Sequence, residues 1–101
     1  MSQIDHRVKI ATYILEELAL RGGSSRLRYL KTFRLLCFWL GKDVANYILN
    51  KLAEGKYITL DKDRVILNVK LKVEKNYNRL IKEFEEYVKN LYINNVKISL
   101  R

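Results

Sequence analysis

Apolar residues in this chain change their spacing twice, and that change limits the folds open to it. From Ile4 to Leu20 they recur at Ile4, Val8, Ala11, Leu15 and Leu18, with Ile10 and Ile14 widening the stripe. Steps of three and four residues make an amphipathic helix. Ser2 can cap it, Asp5 suits its first turn, and Gly22-Gly23 ends it, the first glycine being free to take the left-handed C′ conformation. A second helix follows from a cap at Ser24 or Ser25, with Leu27, Leu30, Phe33, Cys37 and Leu40 on its stripe. Leu36 and Trp39 make its end apolar almost all round, which implies burial against more than one neighbour. Gly41 breaks the pattern, and Asp43 is placed to cap a third helix that buries Val44, Ala45, Ile48, Leu49 and Leu52 and closes at Gly55.

Beyond Gly55 the period shortens. Tyr57-Ile58-Thr59-Leu60 and Val65-Ile66-Leu67-Asn68-Val69 are rich in β-branched and aromatic residues, and the polar Asp61-Lys62-Asp63-Arg64 between them predicts a β-hairpin. Helical spacing returns from Lys72 to Tyr92, where Val73, Tyr77, Leu80, Phe84, Tyr87 and Leu91 form a heptad seam with Ile81 and Val88 beside it. Two arrangements satisfy that seam. It can pack back on its own domain, or pair with a copy of itself in a dimer, and the width of the stripe favours the homodimer. Ile93 to Arg101 lacks helix signals, and Val96 to Leu100 alternates as a short strand or ordered tail would. The expected fold class is α+β, mainly α: three helices and a hairpin over residues 1–70, then a C-terminal dimerisation helix and short tail over 71–101.

Charge is unevenly spread along this frame. The chain carries a net charge of +9, of which residues 21–51 hold +6. A localised basic patch points to a polyanion, and nucleic acid fits better than a membrane surface because the bases lie within a folded unit. Ser25, Arg26, Arg28 and Lys31 at the start of the second helix are candidate contacts to phosphate, with Arg34 further along it. On the third helix Asn46, Tyr47, Asn50 and Lys51 face away from the apolar stripe, with Lys42 at its entrance. Asn pairs bidentately with adenine edges, and Lys reaches guanine or phosphate. Lys62 and Arg64 sit at the hairpin tip. An ordinary solvated helix face is the competing account of every one of these positions.

Other chemistries lack their residues. His6 is the only histidine and Cys37 the only cysteine, so neither a His-based triad, a thiolate metal site nor a disulfide within the chain can be assembled. Cys37 lies within LLCFWL and is expected to be a small buried hydrophobe. No GxxxxGK[ST] phosphate loop surrounds Gly22-Gly23, and Glu83, Glu85 and Glu86 stand beside Lys82 and Lys89 as ion-paired surface acids. No enzyme, cofactor, metal or small-molecule substrate is expected. The longest apolar run is Leu35 to Leu40, too short for the roughly 20 residues of a membrane helix. The opening MSQIDHRVKI carries acids and no apolar h-region, so a cytoplasmic protein is expected.

Helix, basic helix, turn, helix, hairpin and helix together resemble a winged helix-turn-helix domain. The likeness runs from Ile4 to Val69 and is strongest in VANYILNKLAEGKYITLDKDRVIL, where Ile48, Leu49, Leu52 and Gly55 and then Tyr57-Ile58 match the end of a recognition helix and the first strand of a wing. The added C-terminal helix resembles small archaeal or archaeal-virus transcription regulators that dimerise through such a helix. The resemblance implies that the third helix enters the major groove with Lys42, Asn46, Tyr47, Asn50 and Lys51, and that Lys62 and Arg64 on the wing touch backbone. The expected function is therefore a dimeric regulator of transcription bound to double-stranded DNA. Non-specific chromatin-type DNA binding, a winged-helix protein-interaction module and RNA binding remain the alternatives.

Overall fold

The computed structural model describes residues 6–33 and 40–94, with the side chains of residues 31–33 outside that set. Within it, α1 spans His6–Leu20, β1 Ser24–Arg26, α2 Leu27–Phe33, α3 Lys42–Glu54, β2 Ile58–Asp61, β3 Arg64–Leu67 and α4 Tyr77–Ile93. The class is α+β and mainly helical, with one small antiparallel sheet in the order β1-β3-β2. Expectations placed on Ser2, Ile4, Asp5, Arg34, the Leu35 to Trp39 run with Cys37, and the 96–100 strand lie outside the described residues.

Local chemistry sets the joints. At the end of α1 the Gly23 N–H donates to Leu18 O at 2.8 Å and the Gly22 N–H to Ala19 O at 3.3 Å, a Schellman cap with Gly22 at φ 86 in the left-handed position. A three-residue strand follows where the sequence suggested a helix cap. Ser24, Ser25 and Arg26 pair with Ile66, Val65 and Arg64, so the backbone groups of that stretch are satisfied by a sheet instead of by capping hydrogen bonds. α3 begins one residue before Asp43. Its cap position is Gly41 at φ 92, with no side-chain bond, and Asp43 serves as the acid of the first turn.

The other end of α3 closes at Gly55, as expected. Tyr57 N–H donates to Leu52 O and Lys56 N–H to Ala53 O, both at 3.0 Å, so a second Schellman cap closes this helix. Its left-handed residue is Lys56, at φ 64, while Gly55 stays right-handed at φ −77. Gly55 lets the Tyr57 ring lie against the helix end: a Cβ there would stand 2.8 Å from its Cε2 and the ring would have to shift.

The hairpin forms as expected, but tighter. Asp61 pairs with Arg64, leaving a turn of Lys62-Asp63 with Lys62 at φ 55. The inner face of the sheet carries Ile58 and Val65 at 2% and 0% exposure, and Ser25 beside them at 3%. Asn68 extends this sheet, its N–H donating to Tyr57 O at 2.9 Å and its side chain bonding Thr59.

One core joins all of these elements. Ile10, Tyr13, Ile14 and Leu18 of α1 meet Leu30, then Ala45, Ile48, Leu49 and Leu52 of α3, the sheet residues, and Leu80, Phe84, Val88 and Leu91 of α4. The buried face of α1 is thus rotated from the expected stripe, with Val8 left 60% exposed and the polar Tyr13 and Glu17 taken inside. Tyr13 stacks on Phe84 with centroids 5.1 Å apart. α4 starts at Tyr77, five residues later than Lys72, because Asn76 caps it by accepting from the Arg79 N–H at 2.8 Å. Val73 therefore precedes the helix. The seam residues Leu80, Phe84 and Leu91 are buried against this chain's own core, with Tyr87 packed beside them, so the packing-back arrangement accounts for them. Leu80, Phe84, Val88 and Leu91 of α4 thus belong to the same core as α1, α3 and the sheet.

Candidate nucleic-acid interface

The outer face of the sheet gathers the hairpin cations. Strand register puts Arg26 of β1 directly opposite Arg64 of β3, and Asp61 of β2 completes the row. Because side chains alternate along a strand, Ser24 shares that face, and Arg64 Nη2 donates to Ser24 Oγ at 2.9 Å. Arg26, Arg64 and Lys62 are all exposed. Leu27 N–H donates to Asp63 O at 2.6 Å, which fastens the hairpin tip to the first residue of α2. Arg28, exposed on α2, follows one residue later. Arg26 and Arg64 thus face each other at one end of the sheet, with Lys62 in the adjoining turn and Arg28 in the first turn of α2.

Ser25 does not join them. It opposes Val65 on the inner face, and at 3% exposure it is a packing residue with no access to a ligand. Lys31 lies on α2, with its side chain outside the described set.

α3 presents a second group. Lys42, Asn46 and Asn50 recur every four residues and so share one helix face, with Lys42 and Asn50 exposed and Asn46 half-buried. Tyr47 is less available than the sequence suggested. It packs against the core, its hydroxyl accepts from Arg7 Nη1 at 3.5 Å, and Lys51 Nζ lies 5.7 Å from its ring centroid. Lys51 also pairs with Glu54 at 3.2 Å, an exposed contact of small energetic value.

Three contributors were not visible in the sequence: Ser24, which orients Arg64, Arg7, which reaches Tyr47 across the α1–α3 boundary, and Lys56, exposed at the α3 exit. The first two need the tertiary pairing to be seen. His6 has a structural partner, sharing a hydrogen bond between its Nδ1 and the Tyr87 hydroxyl. Among the described residues no group of His, Cys, Asp or Glu is arranged to hold a metal ion, and no helix is long and apolar enough to cross a membrane. Compared with protein-family models, curated proteins and solved structures, the chain matches none.

Proposed function

We propose that this protein is a winged helix-turn-helix DNA-binding regulator that docks α3 in the major groove and lays the β2–β3 hairpin along the backbone. The observation that carries the reading is the opposed pair Arg26 and Arg64. Like charges directly across a ladder destabilise a sheet; Asp61, on the other side of Arg64, offsets part of that cost, and an anion bridging Arg26 and Arg64 converts the rest into binding. A phosphate is the anion that suits two guanidinium groups. Lys62 at the tip and Arg28 on α2 extend the same charge, while Asn46 and Asn50 supply groups able to read base edges. The chain order of helix, strand, helix, helix and hairpin supports it.

In this reading the protein acts as a homodimer whose contact uses the exposed end of α4, Tyr92 and Ile93 at 58% and 63%, because α1 already covers the seam. Two such units would address half-sites about 34 Å apart. Fluorescence anisotropy on a random-sequence duplex tests the main claim. Four phosphate contacts give a log–log salt slope of about −3.6. A flat response, or preference for single-stranded RNA over the duplex, would sink it, and sedimentation velocity with Ile93→Glu tests the dimer contact.

A further inference from the structure

A groove of about 280 Å³ lies between α1 and α3, apart from the sheet cations. Val8 and Ala11 of α1, Ile48 and Leu52 of α3, and Tyr57 form its apolar lining. Val8 and Tyr57 stand 60% and 48% exposed there, a poor use of large hydrophobic side chains unless something covers them. The polar groups at the groove converge on one ring. Arg7 Nη1 is 3.5 Å from the Tyr47 hydroxyl and Lys51 Nζ 5.7 Å from the Tyr47 centroid, and among the described residues that line the groove none is an acid.

We propose that this groove binds a compact apolar carboxylate, such as an aryl-alkyl acid, with its hydrocarbon on Val8, Ile48 and Tyr57 and its carboxylate between Arg7 and Lys51. An apolar body with a few convergent polar groups is the usual composition of a small-molecule site. The volume lies just below the roughly 300 Å³ at which drug-sized ligands begin to fit, which selects a small acid over a peptide helix. Glu54 already neutralises Lys51, but as an exposed pair it yields readily to an incoming carboxylate. Tyr47 and Lys51 also belong to the proposed DNA face. Occupancy therefore competes with the duplex, a consequence that rests on the DNA reading while the site itself does not.

The test uses 3-phenylpropionate and its neutral analogue 3-phenylpropionamide, titrated into the full chain without DNA and followed by amide NMR shifts. The acid should shift Val8, Ala11, Ile48 and Tyr57, and bind about ten-fold more tightly than the amide, as one charge-assisted contact provides. Lys51→Gln should remove most of that preference, and Glu54→Gln should strengthen acid binding by roughly three-fold by removing the competing carboxylate. Val8→Glu, at an exposed position, should repel the acid while leaving the fold intact. Equal affinity for acid and amide, shifts away from the groove, or no shifts at millimolar acid would overturn the proposal. So would binding of an acidic amphipathic peptide in place of the acid, or groove shifts on simple dilution, which would assign the site to a protein partner or a second copy. Duplex affinity is then measured with acid present. If acid binds in the groove but duplex affinity holds, the site stands and α3 loses its role as the DNA-reading surface.

Discussion

The Tyr77 hydroxyl donates to Oε2 of Glu17 at 3.2 Å, joining the first turn of α4 to the last turn of α1. Glu17 is fully buried, and Arg21 completes the arrangement, with Nη1 3.1 Å from the same hydroxyl and 3.8 Å from the carboxylate. The Arg21 guanidinium lies 4.1 Å from the Tyr29 ring centroid, so α2 is drawn into the same cluster. Tyr77→Phe removes one hydroxyl from a buried carboxylate at nearly constant volume. It should lower stability by about 1–3 kcal/mol in urea unfolding, and an unchanged midpoint would show that the bond contributes nothing net.

Phe84 is fully buried and stacked on Tyr13. Phe84→Ala should cost about 3–5 kcal/mol. A chain ending at residue 70 uncovers Tyr13 and Glu17 and should fail to give a cooperative thermal transition by circular dichroism. A folded fragment would restore α4 as an independent appendage.

Lys56 carries left-handed strain at the end of α3. Lys56→Gly should stabilise the protein by about 0.5–1 kcal/mol, since the relief of backbone strain outweighs the added freedom of the unfolded chain. Gly55→Ala should not behave alike. Its Cβ displaces the Tyr57 ring, which an NMR spectrum would detect at the groove.

Lys75 Nζ donates to Glu83 Oε2 at 2.8 Å and Arg79 Nε to Glu83 Oε1 at 3.2 Å. The bond from Lys75 holds the Glu83 carboxyl below its ordinary value, and the same bond raises the Lys75 amine. The Glu83 contribution is complete above the ordinary carboxylate range and is lost as pH falls through its lowered pKa. The Lys75 contribution is complete below the ordinary lysine range and is lost as pH rises through its raised pKa. The stability difference between the native chain and Glu83→Gln should be flat near neutrality and shrink towards acid and towards strong alkali. A difference that persists into acid would exclude the ion pair as its source.

Arg26→Gln and Arg64→Gln should each make the salt slope of duplex binding shallower by about 0.9 and weaken all sequences alike. Arg26→Gln should also stabilise the unbound protein by about 0.2–1 kcal/mol, because the opposed like charges are relieved, whereas Arg64→Gln loses the Ser24 bond and the facing Asp61 and should show no such gain. Asn46→Ala and Asn50→Ala should instead change which duplex is preferred. If all four weaken every duplex equally, binding is non-specific.

Some features of this fold show in residues taken singly, others only in residues taken together. The helices and hairpin were legible because spacing alone sets their period, and the buried face of α3 follows from Ile48, Leu49 and Leu52. The face of α1 was not: Tyr13 and Glu17 look polar until Phe84 and Tyr77 cover them. Three residues cannot show a strand's alternation, so β1 passed for a cap, and Ser25 passed for a surface serine until Val65 stood opposite it. The left-handed Lys56 escaped because a lysine carries no signal for that conformation. At the site, charge was visible in Arg26 and Arg64 separately, but their opposition exists only through the β1–β3 register.

The bond from Leu27 to Asp63, with β1 paired beneath it, gives the hairpin a property its short length conceals. A protruding loop would have to surrender its own motion each time it met a partner. Here part of that ordering is completed when the chain folds, because backbone bonds already hold the strand and turn that carry Lys62 and Arg64. If this edge meets DNA as proposed, discrimination depends on whether the partner's shape conforms to the protein, and stiff and pliable duplexes of equal charge should be told apart by how readily they bend to reach it.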